Sequence, residues 1–287
     1  MKNTPLLLVL AVVLISPLSA EPVARTLSFA RVDEIELKLD LYLPANADKP
    51  PGLLIWVHGG AWRGGTREGV DLKGLTGLGW AVASVDYRLS TQARFPAQIH
   101  DIKAAIRYLR AHATELGYLP DRFVIAGSSA GGHLAALVGV TNGHAELEGH
   151  VGENPRVSSD VQAIVDLYGA SNLTTILRQS TPHGISVRAP ALELLLGGSP
   201  DALPELARLA SPVFHVDAND PPLLLLHGDQ DPQMPINQSH ELVGAYEQKG
   251  RPVILKVLHG SAHGGPAFTD AASLRLIDTF LRTHLGQ

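Results

Sequence analysis

The stretch VIAGSSAGGHLAALV, residues 124–138, sets two serines between an apolar run and a helix-like segment, among glycine and alanine. A Gly-x-Ser-x-Gly pattern is met by Gly127, Ser129 and Gly131, whereas centring it on Ser128 would require glycine at Ala126 and Ala130. Ser129 is therefore the candidate nucleophile. The small neighbours have a physical reason, because a strand, a tight turn and a helix close on one another only where flanking side chains are absent. The same turn strains the serine backbone and holds its hydroxyl at a helix N-terminus, where negative charge is favoured. A serine hydroxyl is a poor nucleophile at neutral pH unless a base takes its proton and a carboxylate orients that base. Downstream, PPLLLLHGDQDPQMP runs from an apolar strand into a loop with Asp229 and Asp231, and VILKVLHGSAHGG runs into one with His259 and His263. The order Ser, Asp, His follows, with two candidates each for acid and base.

With HGGAW at residues 58–62, after the strand LLIWV, the sequence resembles the α/β-hydrolase family, and within it the esterases whose third strand ends in His-Gly-Gly-x-Trp. HGGAW, DYRL at 86–89, FPAQIHDIKAAIRYLR, GSSAGG, HGDQDPQMP and HGSAH occur in the family's order across most of residues 25–285. The resemblance implies Ser129 as nucleophile, Asp231 as acid and His263 as base, the last in the pattern Gly260-x-x-His263. Asp231 and His263 also stand further past their strands than Asp229 and His259, which gives them the longer reach. Ser128 occupies the position where similar esterases carry Asp, so the chain resembles the feruloyl and acetyl-xylan esterase-like branch. HGGAW has a task of its own: the tetrahedral intermediate of acyl transfer carries an oxyanion that needs preorganised donors. The N–H groups of Gly59 and Gly60, with that of Ala130 after the serine, can supply them. His58 reads as a residue fixing that loop, and His133, one helical turn past Ser129, as packing.

The expected activity is a serine carboxylic-ester hydrolase working through an acyl-enzyme, on a small-molecule or saccharide-linked ester. Two other hydrolases share the constellation. HGDQDPQMPINQSHEL also resembles the acid loop of prolyl-oligopeptidase-type peptidases, but those enzymes carry an additional large domain over the site. Kynurenine formamidase, an arylformamidase, shares HGG and the triad, and an export leader counts against its intracellular catabolic role. A non-catalytic binding protein on the same scaffold would be expected to lack a triad member or an oxyanion glycine, and this chain retains all of them.

The elements that must position these residues alternate along the chain. Strands are expected near 25–31, 35–43, 53–57, 81–86, 122–126, 161–167, 222–227 and 253–258, and helices near 66–79, 97–114, 130–141, 235–249 and 268–285. The first two strands form an antiparallel hairpin through a turn at Asp33-Glu34. The rest predict an α/β architecture: an eight-stranded, mostly parallel sheet with helices on both faces and reactive loops at the carboxyl ends of the strands. Residues 142–160 and 171–215 are rich in Gly, Pro, Asn and His, with only short helical pieces such as ALELLLGG, and are expected to form a small cap as insertions within one domain spanning 21–287.

The chain has 287 residues, 45% hydrophobic and 18% charged, with a net charge of -5. That balance offers no general attraction to nucleic acid or anionic membrane. Lys2, an apolar run from Leu6 to Ile15, and Ser19-Ala20 before Glu21 follow the signal-peptide pattern, with cleavage expected after Ala20 and the protein periplasmic or secreted. Pro5 and Pro17 bracket too short a run for a stable membrane anchor. With no cysteine, a thiol nucleophile, a disulfide and a thiolate zinc site are excluded. HAELEGH at 144–150 lacks the His-Glu-x-x-His spacing of zinc proteases, and no phosphate-cradling or dinucleotide motif occurs. No metal and no organic cofactor are expected.

Overall fold

The eight expected strands form one sheet in the computed structural model, which describes residues 24–45 and 49–286; the expected leader at 1–20 lies outside them. The strands are β1 (Arg25–Val32), β2 (Ile35–Tyr42), β3 (Leu53–Val57), β4 (Ala81–Val85), β5 (Phe123–Ser128), β6 (Ala163–Leu167), β7 (Leu223–Gly228) and β8 (Val253–Leu258). Their order is β1-β2-β4-β3-β5-β6-β7-β8. β1 and β2 form the expected hairpin, β2 also runs antiparallel to β4, and every other pairing is parallel. In register, Val57 faces Gly127, Ser128 faces Leu167, and Gly228 faces Leu258. The loops that follow β3, β5, β6, β7 and β8 therefore leave one edge of the sheet together.

Successive side chains on a strand point to opposite faces. Leu53, Ile55 and Val57 enter one core and Leu54 and Trp56 the other. On the first face lie α1 (Ala97–Ala111), a short α2 (Ala113–Leu116) and α3 (Ala130–Gly139), and α8 (Asn237–Gln248); on the second lies α9 (Ala271–Leu285). Burial on both faces is why the central strands read as unbroken apolar runs. The Asp270 carboxylate caps α9, accepting from the N–H groups of Ala272 and Ser273 at 2.9 and 2.8 Å.

Three segments differ from expectation. The helix expected over 66–79 is reduced to a 3-10 stretch, Lys73–Leu78. Its first half is held by other partners: Arg67 pairs with Asp86 at 3.0 Å and Asp40 at 3.2 Å, and the Trp56 indole donates to the Gly69 carbonyl at 2.7 Å. Residues 142–160 do not cap the cleft at Ser129. Their α4 (Ala145–Glu148) docks on α1, where Glu148 meets Lys103 at 2.6 Å and Arg107 at 3.3 Å and accepts from Ser159. Two cations buried in α1 thus fix this insertion away from the site.

Residues 171–215 hold more helix than their composition suggests: α5 (Ile176–Gln179), α6 (Pro182–Leu196) and α7 (Pro204–Leu209). α6 is continuous through Pro190 although proline lacks a donor and disfavours a helix interior. Burial of Leu192, Leu195 and Leu196 offsets that penalty, while Leu194 stays 40% exposed. Thr181 caps the helix by accepting from the Gly184 amide, and Gly197 ends it in the left-handed conformation.

Candidate active site

β5 turns into α3 through Ser129, whose backbone sits at φ 54 and ψ -116, a region L residues rarely adopt. The crowding explains the glycines. A Cβ on Gly131 would lie 2.0 Å from the Val57 carbonyl oxygen, and one on Gly127 would lie 2.3 Å from that of Gly131. The Ser129 amide donates to the Leu167 carbonyl at 2.9 Å, tying the turn to β6. Its hydroxyl is thereby presented at the N-terminus of α3.

The late loops hold two Asp–His pairs side by side, and only one meets Ser129. His263 Nε2 lies 2.9 Å from Ser129 Oγ, and its Nδ1 lies 2.6 Å from Asp231 Oδ2. The other Asp231 oxygen accepts from the amides of Gln233 and Met234, both at 2.8 Å. Burial works against the Asp231 charge, yet hydrogen bonding from His227 and His263, the charge of His263 and the Met234 amide hold its carboxyl well below the usual carboxylate range. His259 and Asp229 pair at 2.8 Å, but the His259 side chain is 85% exposed. Two residues of extra reach for Asp231 and four for His263 carry that pair to Ser129.

The HGGAW loop crosses beside Ser129: a Cβ on Gly59 would sit 2.9 Å from the Ser128 carbonyl oxygen and 3.5 Å from Ser129 Cβ. Among the described residues, the N–H groups of Gly59, Gly60 and Ala130 donate to no backbone carbonyl. Gly60, Ala61 and Trp62 all have positive φ, and the tight turn is closed by the Arg63 and Gly64 amides donating to the Gly60 carbonyl. His58 stacks on Tyr87 at 4.4 Å, and its Nδ1 approaches the Gly59 carbonyl at 2.8 Å. Burial lowers its pKa, which keeps it a neutral loop fixture.

His133 does more than pack. Its Nδ1 accepts from the buried Trp62 indole at 3.0 Å and its Nε2 donates to the Ala210 carbonyl at 2.6 Å. One imidazole therefore joins the HGGAW loop, the helix after Ser129 and the 171–215 insertion. Burial pulls it down to about 4, with the Ala210 bond opposing, so it is neutral in this role.

Around Ser129 and His263 lies a cleft of about 410 Å³, walled by Gly59 and Gly60, Tyr168, Gln233, and Val187 and Arg188 of α6. Tyr168, Gln233, Val187 and Arg188 escaped the sequence reading. Tyr168, directly after β6, has φ 46 and sets its ring edge-on to His263 at 4.7 Å. Its place at the carboxyl end of a central strand was the available signal. Arg188 carried none beyond being a cation in an apolar stretch.

The fold and this arrangement define an α/β-hydrolase. The chain belongs to the BD-FAE family, whose profile matches residues 39–246. It is 34% identical over 220 residues to Esterase LipC of Mycobacterium tuberculosis, covering 75% of this chain and 53% of that protein; the chain spans about half the length of the curated relatives it matches first. Among solved structures, a truncated carbohydrate esterase from gut microbiota superposes with a TM-score of 0.82 at 29% identity, over 94% of this chain and 99% of that one. Esterase 2 of Thermogutta terrifontis, phosphonylated by sarin, gives 0.77 at 27% identity, over 92% and 96%.

Proposed function

We propose that the protein is an exported carboxylic-ester hydrolase acting through a Ser129-His263-Asp231 triad and an acyl-enzyme. The observation that carries this reading is the continuous contact from Ser129 Oγ through His263 to Asp231 on a strained strand-to-helix turn. His263 Nε2 takes the hydroxyl proton as Ser129 attacks the ester carbonyl, then returns it to the leaving alcohol. Asp231, ionised and fully hydrogen-bonded, fixes the ring with Nδ1–H toward itself and stabilises the imidazolium. The N–H groups of Gly59, Gly60 and Ala130 receive the oxyanion, each contributing on the order of 3 kcal/mol to lowering the barrier. Water, activated by the same imidazole, then releases the acid. The esterase names among the relatives and neighbours support the same chemistry.

The test is reaction of the purified chain with an organophosphate probe, together with turnover of p-nitrophenyl acyl esters and of acetylated and feruloylated sugars. Covalent labelling confined to Ser129 and hydrolysis lost in Ser129→Ala are expected. Near-normal turnover in that variant would remove the mechanism. For export, the expected result is a secreted or periplasmic product whose intact mass lacks residues 1–20, and a product retaining Met1 in that fraction would overturn it.

A further inference from the structure

Among the described residues, Arg188 is a cation in the candidate site that forms no ion pair. It is 1% exposed, it lies on α6 and it lines the cleft with Ser129 and His263. Its Nε donates to the Gln233 carbonyl at 3.1 Å, while one terminal nitrogen, Nη2, is buried with no partner at all. Asp231, whose charge acts on it, forms no ion pair with it; the Asp231 oxygens face His263 and the Gln233 and Met234 amides. Burial lowers Arg188 to about 10, against the pull of Asp231, which still leaves it charged at neutral pH. A guanidinium withdrawn from water without an ion-pair partner is strongly unfavourable, and a chain gains nothing from retaining one at this position unless something completes it. Arg63 adds a second, exposed cation to the same cleft. Asp71 is the acid on this side, and it stands beside Ser128 and Tyr168, not beside Arg188.

We propose that Arg188 receives a carboxylate carried by the substrate, so that the cleft selects anionic esters over neutral ones of the same shape. This rests on the ester-hydrolase reading above and adds the substrate class to it. A planar guanidinium with free N–H groups matches a carboxylate in a way that neither an ester oxygen nor a sugar hydroxyl does. The Gln233 carbonyl holds the fork in place from the Asp231 loop, so the anchor and the triad share one rigid wall.

The test compares two pairs of esters: 4-acetoxybenzoate against 4-acetoxybenzamide, with the charge on the alcohol side, and the mono-p-nitrophenyl ester of adipate against p-nitrophenyl hexanoate, with it on the acyl side. In the wild type, kcat/KM is expected to favour the anionic member of at least one pair by about tenfold or more. Arg188→Met should erase that preference through KM, lowering kcat/KM for the anionic member about tenfold more than for its neutral partner, and Arg188→Lys should keep part of it. Calorimetric binding of 4-hydroxybenzoate and adipate, each against its amide, needs no turnover and should show the same preference and the same loss. If the wild type prefers neither anion in turnover or binding, or if Arg188→Met weakens anionic and neutral members equally, the assignment is wrong and Arg188 only braces α6. If no ester is cleaved and Ser129 is not labelled, the hydrolase reading fails, and the binding arm still decides whether the cleft holds a carboxylate.

Discussion

At the scale of residues, the two parallel Asp–His pairs make the sharpest comparison the molecule offers, since both have hydrogen-bonded geometry and only one touches Ser129. Contact distance alone would not separate them; burial and connection to the hydroxyl do. His263→Ala is expected to lower kcat by several orders of magnitude and Asp231→Asn somewhat less, while Asp229→Asn and His259→Ala should stay within about tenfold. Steady-state kinetics beside unchanged circular dichroism check this. Gly59→Ala should also depress kcat, because the added methyl meets the Ser128 carbonyl and moves the loop. A different residue sets a pH dependence. Asp166 is fully buried, its Oδ1 accepts from the Gly169 amide at 2.7 Å, and its Oδ2 has no partner. Burial pushes its carboxyl up from 3.8 to about 7, against that amide bond. Below the unfolded value the acid is protonated in both states and its contribution to stability is complete. As pH rises toward about 7 the unfolded chain releases the proton that the fold retains, so stability falls. Asp166→Asn keeps an oxygen for Gly169 without titrating, so its stability relative to the wild type should climb between those limits by a few kcal/mol. Melting temperatures of both proteins at pH 4 and pH 8 would show it, and a constant difference would mean that Asp166 is ionised in the fold. Ser129 was legible because its spacing is local. Arg188 and Tyr168 were not, since what distinguishes them is the company they keep across the fold.

At the scale of elements, the insertion at 171–215 is fastened to α8 through Gln238 and Glu241. Gln238 is buried, and its Oε1 accepts from the Ser171 and Asn172 amides at 2.9 and 2.8 Å. Its Nε2 donates to Thr175 and Gln179, and Glu241 one turn later accepts from Asn172, Thr175 and Gln179. Gln238→Leu keeps the approximate volume but leaves two backbone N–H groups unpaired, which costs about 1–3 kcal/mol for each buried donor. A lower melting temperature, with proteolysis starting within 171–215, is the expected result; cleavage elsewhere first would place the weak point in another element. The helical content of this segment was hard to read for a definable reason. Pro190 interrupts the periodic signal, and the apolar residues that stabilise α6 are buried against other elements, which no window of sequence contains. By contrast, α1 announced itself through Ile102, Ile106 and Leu109 on one face, all of them buried. The expected helix at 66–79 failed in the opposite way, because Arg67 and Gly69 are captured by Asp86 and Trp56, far along the chain.

At the scale of the whole molecule, the sheet was the most legible part, because strands buried on both faces must be continuous and apolar and the turns between them must not. What remained hidden was which loops would converge, which depends on strand order: β3 lies between β4 and β5, so HGGAW comes to stand beside a serine seventy residues later. That convergence leaves the serine turn with a conformation the chain would not choose for itself. Holding a non-glycine residue there costs about 1–3 kcal/mol, whereas glycine in place of alanine costs roughly 0.4–1 kcal/mol through the unfolded chain. Ser129→Gly should therefore melt at a higher temperature than Ser129→Ala, although both lose the same hydroxyl. Durability and the proposed chemistry then pull against each other at one backbone torsion: a lineage selected only for persistence would drift to glycine at 129 and keep an intact fold without the proposed nucleophile.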